Sequence, residues 1–372
     1  MDFELTDAQE ELKRAVRAVL SERCPAALSR GAIETGILPQ EPWQSAVEFG
    51  WPGVAIAEEN GGLGLGFPEL ALVVEEHGRS LAPGPFLATT TQFAPLIREA
   101  GDAAQHERFL GGIASGRLTG ALALAGPASS GLRIDASLSA ARDGDGYRLT
   151  GERHFVLDGA TADEIAVAAR IDEGDGVGLF VVPRAEVQAT VMRSLDGSRP
   201  LATLGFDAVR VGRDRTLGTP GASAGRFARA LEESVVALAV DIVGTCQALL
   251  DRVLEHARQR RQFDQPIGAF QAVQHKCADM YMAIEKARAT AIFAMMAISE
   301  DDPRRALAAS MAKAAAGDCE ALVSKEAIQI HGGMGFTWES DVQLFVKRAK
   351  SGAHLLGTAS EHRARIADLL SI

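Results

Sequence analysis

The chain has 372 residues, 47% of them hydrophobic and 23% charged, with a formal net charge of −11. This is globular composition with ample core, and the length predicts two or three domains or subdomains. The acidic balance argues against nucleic acid and anionic membrane surfaces as partners, so an anionic ligand must be held by a few local arginines.

The four cysteines, Cys24, Cys246, Cys277 and Cys319, are scattered without a Cys-x-x-Cys pair. Three lie in apolar helical patterns and read as small core residues, which predicts neither a disulfide framework nor a metal site. The opening Met1-Asp2-Phe3-Glu4-Leu5 has no basic n-region and no apolar h-region of a secretory signal. The most apolar run, 235–243, is interrupted by Asp241 and is too short to span a bilayer. Together these features predict a cytoplasmic protein.

Residues 1–115 read as a helical domain. Thr6 is the expected N-cap of a helix with Leu12, Val16 and Val19 on one face, and Pro25 ends that pattern. The glycine-rich loop 58–66 lacks the Lys-Ser/Thr of a P-loop and follows no clear buried strand, so it is not a phosphate cradle. A helix over 69–77 follows it. Residues 116–220 change to a period of two, with strands at 147–150, 165–169 and 178–183 and a hairpin turn at 143–146. Short strands at this spacing predict a small antiparallel barrel or sandwich. No alternating β–α units appear, so a Rossmann domain is not supported.

Residues 221–372 return to long helices. The stretch 227–257 runs about thirty residues without proline, near 45 Å at 1.5 Å per residue. Its middle, 235–243, is apolar nearly all round and belongs inside a bundle, with Asp241 buried and paired or capping. Glu232 and Glu233 read as surface charges near the helix start, where the dipole favours them. Helices over 269–299 and 303–330 follow. The class is α+β, helical then β then a four-helix bundle.

Two stretches carry the chemistry. The first, 260–275, places Arg260, Gln262, Phe263, Pro266, Gly268, Phe270 and Gln271 at fixed spacing between two helices. Arg260 offers a planar fork of donors suited to a diphosphate, and Phe263 can cover a flat ring. The second is Gln329-Ile330-His331-Gly332-Gly333-Met334-Gly335-Phe336, a helix end whose glycines expose backbone N–H groups to a ligand. A solvated corner and a plain glycine cap would account for each alone. Together, the Arg-x-Gln-Phe-x-x-Pro-Ile-x-x-Phe-Gln-x-Val pattern and the Gln-x-x-Gly-Gly pattern resemble the two cofactor segments of the acyl-CoA dehydrogenase family. The loop at 58–66 and Gly78-Arg79-Ser80 resemble that family as well, and the likeness covers nearly the whole chain.

The resemblance implies that Arg260, Gln262, Phe263, Phe270, Gln271, Gln329, Gly332 and Gly333 reach across a subunit interface to the FAD of a neighbouring chain. It also exposes departures. The family's Thr-Glu-Pro-x-Ala-Gly-Ser-Asp segment corresponds to Ala125-Gly126-Pro127-Ala128-Ser129-Ser130, and its Trp-Ile-Thr/Ser-Asn strand to Phe155-Val156-Leu157-Asp158. Leu157 cannot donate to a flavin edge as a hydroxyl would. The family's catalytic glutamate, which takes the α-proton while hydride leaves the β-carbon for the flavin, precedes Gly-Thr. Here Leu356 holds that position. The minority location, ten residues before a helical glycine, gives Ser234 when counted from Gly244. His331 and His354 have no carboxylate partner visible in the sequence.

The pattern therefore resembles the base-lacking subunit of a heteromeric bacterial acyl-CoA dehydrogenase of the steroid-CoA type. Such a subunit pairs with a sister chain in an α2β2 heterotetramer that acts on an acyl-CoA and admits an electron-transfer flavoprotein-type acceptor. Two alternatives stand beside it. One is a homotetramer using Glu233 or Asp241 as a displaced base, and the other is a non-enzymatic scaffold with a decayed site.

Overall fold

A computed structural model describes residues 4–127, 129–132, 134, 136–172 and 176–372. The opening Met1-Asp2-Phe3 and Ala128, in the segment compared with the family's flavin loop, lie outside the described residues. Helices Asp7–Arg23, Ala26–Thr35, Glu41–Glu48, Phe67–Ser80 and Ala94–Ala100, with shorter turns between them, run to Ala114. Thr6 caps the first helix in a reciprocal box with Gln9, as expected from its hydroxyl.

The middle of the chain forms β1 (Gly120–Ala123), β2 (Leu138–Asp143), β3 (Gly146–Leu157), β4 (Glu164–Ile171), β5 (Val177–Pro183), β6 (Gln188–Met192), β7 (Leu201–Val211) and β8 (Thr216–Leu217). The hydrogen-bonded order is β6-β7-β3-β2-β4-β5-β8, with β1 also on β4. This corrects the antiparallel expectation, because β4 pairs in parallel with both β1 and β2. Alternation along single strands cannot reveal the direction of a partner far away in sequence. The hairpin turn was legible: Asp143 pairs with Gly146, and Gly144 sits at φ 65°. Both faces of the sheet are buried at β1, β4 and β5. Leu122, Leu124, Ala166 and Ala168 join the helical core. Their alternate neighbours Ala121, Ala123, Ile165 and Val167 form a second cluster with Phe180 and Val182.

The C-terminal helices are Ala224–Gln259, Gln271–Ser299, Arg305–His331, Val342–His354 and Ala359–Leu370. The first is long and apolar enough to cross a membrane, which goes beyond the short run expected from the sequence, and 94% of its apolar window is buried inside the protein. Burial also corrects the reading of Glu232 and Glu233. Both are buried, Glu232 accepting from Arg305 Nε at 2.7 Å and Glu233 paired with Arg98. The helix starts three residues earlier than expected, so these turns lie under neighbouring helices, and arginines offset the cost of burying the charges.

This helix crosses Phe67–Ser80 at backbone contact. A Cβ on Gly244 would lie 2.0 Å from the Glu75 carbonyl oxygen, and one on Gly78 would lie 2.2 Å from that of Asp241. Thr245 Oγ1 donates across the same crossing to the Gly78 carbonyl at 3.1 Å. Gly244→Ala is expected to cost about 3 kcal/mol of unfolding free energy, since neither helix can yield without unpacking its core. Urea denaturation checks this, and an unchanged midpoint would refute the close crossing.

Candidate functional site

The two motif stretches meet at one end of the helical bundle. After Gln259 the chain forms a two-stranded hairpin, β9 (Arg261–Gln262) with β10 (Gln265–Pro266). Phe263 and Asp264 occupy its two-residue turn with φ of 51° and 65°. Such turns suit Asn-Gly, and a bulky residue at positive φ is a strained choice. The turn holds the Phe263 ring 87% exposed, edge-on to Phe270 at 6.0 Å. Arg260, Gln262, Gln271 and Gln329 are exposed, and Phe270 is half-buried.

The second stretch closes the Arg305–His331 helix. Gly332 stands at φ 63°, ψ −147°, a region open in practice only to glycine. Gly332 and Gly333 are exposed and have open space around them. Arg260 has no ion-pair partner among the described residues. A free guanidinium, exposed amides and an accessible glycine turn fit an anionic, flat-ringed ligand presented from outside this chain.

A separate cavity of about 300 Å³ lies between the sheet and the end of the Val342–His354 helix. Its wall includes Leu122, Leu124, Leu157, Leu201 and Leu356, with Gln92, Ser129, Ser130, His154 and His354 at its polar positions. The β3–β7 register shifts between Arg153 and Val156, where Phe155 adopts φ 55°. That bulge sets Phe155 and Leu157 on the cavity. Leu157 and Leu356, one hundred and ninety-nine positions apart in the sequence, thus line one space. His354 lies there too, its Nδ1 bonded to the Lys350 carbonyl at 2.9 Å and not to a carboxylate.

The turn that carries Leu356 is braced by residues that the sequence did not single out. Lys313 Nζ donates to the carbonyls of Ala353 at 3.0 Å and Gly357 at 2.8 Å. Burial pushes its ammonium down to about 7. His362 Nε2 donates to the Leu356 carbonyl at 2.9 Å, and burial pushes this imidazole down to about 4. These bonds hold Leu356 at φ 53°. The one available signal was a lone lysine in the alanine-rich face 308–317.

Behind β3 lies a buried ionic cluster. Arg199 grips Asp241 with two bonds of 2.6 and 2.5 Å. Arg348 pairs with Asp196 and donates to Ser198 Oγ at 2.6 Å. Burial alone would raise the Asp196 carboxyl, but Arg348 and Arg199 more than offset it and hold it below the usual range. Next to Leu157, Asp158 is buried at φ 56°, and its Oδ1 has no partner among the described residues. Burial raises its carboxyl to about 7 against the pull of Arg199 and Arg348. Asp241 and Glu233 are thus tied in ion pairs, and neither lines the cavity.

Comparison with known proteins agrees with this architecture. Residues 6–117 match the family described as Acyl-CoA dehydrogenase, N-terminal domain, and residues 224–370 match Acyl-CoA dehydrogenase, C-terminal domain. The chain is 30% identical to the probable acyl-CoA dehydrogenase YngJ of Bacillus subtilis, over 99% of both chains. It is similar to a chain of the ChsE4–ChsE5 complex from Mycobacterium tuberculosis, with a TM-score of 0.91 and 26% identity, covering 100% of this chain and 99% of that one. A Tcur3481–Tcur3483 steroid ACAD variant aligns with a TM-score of 0.88 and 28% identity over 98% of each chain. With its helical ends, its central sheet and its two bundle-end segments in place, the chain belongs to the acyl-CoA dehydrogenase family, whose members are FAD-dependent oxidoreductases.

Proposed function

We propose that this chain is the base-lacking subunit of a heteromeric acyl-CoA dehydrogenase and that it completes the FAD site of a catalytic sister subunit. One juxtaposition carries the reading. Leu157 and Leu356 line the same cavity, while Arg260, Gln271, Gln329 and the Gly332–Gly333 turn stand exposed elsewhere on the chain. The cavity would present carbon to a flavin edge at Leu157 and Leu201, and among the described residues no carboxylate lines it. The bundle-end segments fit the diphosphate side of a cofactor held mainly by another chain. FAD, when bound, would supply the hydride acceptor for the dehydrogenation. The part taken by this chain is to neutralise and orient the cofactor through Arg260 and its neighbours.

The similarity to a chain of the two-component ChsE4–ChsE5 complex supports an α2β2 assembly, and the steroid ACAD similarity supports a bulky steroid side-chain CoA ester as substrate. An electron-transfer flavoprotein-type acceptor completes the proposal. The test is expression of the chain alone and together with a sister subunit encoded beside it. The single chain is expected to lack stoichiometric flavin and to show activity at least about 10²- to 10⁴-fold below that of the pair, the usual loss without a general base. A flavin-loaded, active single chain would overturn the reading.

A further inference from the structure

The two exposed segments come from helices whose ends must be held in register, and a pair of imidazoles joins them. His256 lies one turn before Arg260 on the long helix, and its carbonyl accepts the Arg260 N–H at 2.8 Å, the last helical bond before the hairpin. His331 is the last residue of its own helix, immediately before Gly332, and its Nδ1 is bonded to the Ala327 carbonyl at 2.8 Å. A carbonyl can only accept, so Nδ1 carries the proton and the ring orientation of His331 is fixed. The His256 ring stacks on it at 4.3 Å between centroids and 23° between planes. Burial, His331 and Arg260 all hold His256 below its ordinary value, which favours the uncharged form of its ring in the stack.

Glycines fold each loop tightly onto these helix ends. A Cβ on Gly335 would lie 2.9 Å from that of His331, and one on Gly268 would lie 3.0 Å from the Ala257 carbonyl oxygen. The Lys276–Glu326 ion pair ties the start of the intervening helix to the same end. Any rotation of His256 against His331 would therefore carry Arg260 and the Gly332–Gly333 turn apart.

We infer that His256 is a positioning residue for the cofactor. By stacking on His331, it sets Arg260 and the glycine turn as one rigid anion-binding surface. This inference rests on the proposed role in a partner's FAD site. It concerns a contact within this chain, made by a residue to which the family pattern gives no part.

The experiment is a double-mutant cycle on the co-purified assembly, reading the dissociation constant for added FAD by flavin fluorescence after the bound cofactor has been stripped. His256→Ala is expected to weaken FAD about tenfold, and His256→Phe, which keeps a flat ring, to restore affinity to within about twofold. In a His331→Ala background the His256→Ala change is expected to add less than about twofold, because the stack is already gone. Arg260→Ala serves as the reference and is expected to weaken FAD more than His256→Ala. If Arg260→Ala weakens FAD while His256→Ala does not, or if the two histidine effects simply multiply, the positioning role is overturned. If Arg260→Ala leaves FAD affinity unchanged, the partner-site reading falls and takes this inference with it. Half-buried His256 and His331 lie at helix ends, so these variants should remain folded. Retained far-UV circular dichroism and co-purification with the sister subunit check that each loss is local.

Discussion

Asp241→Ala is expected to lower the unfolding free energy by about 3–5 kcal/mol, the usual cost of stripping one member from a buried pair. The carboxylate is 1% exposed, and both its oxygens are taken by Arg199. Its loss leaves a buried guanidinium beside the equally buried Arg348, whose charge already feels Arg199 as a repulsion. Removing both partners, as Asp241→Ala with Arg199→Leu, should recover a substantial part of the loss, because no unpaired charge then remains. Urea unfolding of the two single variants and the double variant measures the coupling. If the Asp241→Ala loss stayed below about 1 kcal/mol, the carboxylate would be free of a structural duty, and its use as a displaced base would deserve revisiting.

Asp158→Asn should act in the opposite direction and only above acidic pH. The Asp158 carboxyl moves from its ordinary 3.8 in the unfolded chain to about 7 in the folded one, chiefly through burial. A group whose folded value is raised binds its proton more tightly in the native state. Its contribution is therefore complete below about pH 4 and is lost as pH rises through about 7. At 1.36 kcal/mol per pH unit the whole change is about 4 kcal/mol. The amide has the same shape, tolerates the positive φ and does not ionise. At pH 8 the variant should thus be more stable than the parent by an amount approaching that figure, while at pH 4 the two should nearly coincide. Thermal unfolding at the two pH values decides, and parallel pH profiles would show that Asp158 does not titrate in this window. Asparagine is also the family's residue in the corresponding strand, so the variant asks whether the departure at Asp158 weakens the sheet beside the cavity.

Much of the candidate site was legible because it is encoded locally. Arg260 through Gln271 and Gln329 through Gly333 are contiguous motifs whose residue types and spacing suggest the proposed anion-binding role. Leu356 was recognisable for the same reason, as the residue before Gly-Thr. Other features depend on partners far away in sequence. Asp241 was expected to be paired, but Arg199 as its partner follows only from the way the sheet packs on the long helix. Glu232 and Glu233 were misread as surface charges because the residues that cover them, Arg305 and Arg98, come from other helices. Lys313 and His362 act on backbone carbonyls around the turn, Lys313 on those 40 and 44 positions away and His362 on one 6 positions away, which leaves no side-chain motif to notice.

The sequence by itself determined the succession of helical, β and helical segments, and it carried the two motifs and the residues Leu157 and Leu356 on which the proposed function rests. Periodicity and residue chemistry are local properties, and a single chain displays them without folding. Only the tertiary structure decided which of these residues share a space. It put Leu157 and Leu356 on one cavity and paired β4 in parallel with β1 and β2. It also stacked His256 on His331, so that the two motifs form one end of the bundle. Those outcomes depend on close packing between segments distant in sequence, where a glycine crossing such as Gly78 against Gly244 sets the distance between helices and with it the position of every side chain they carry.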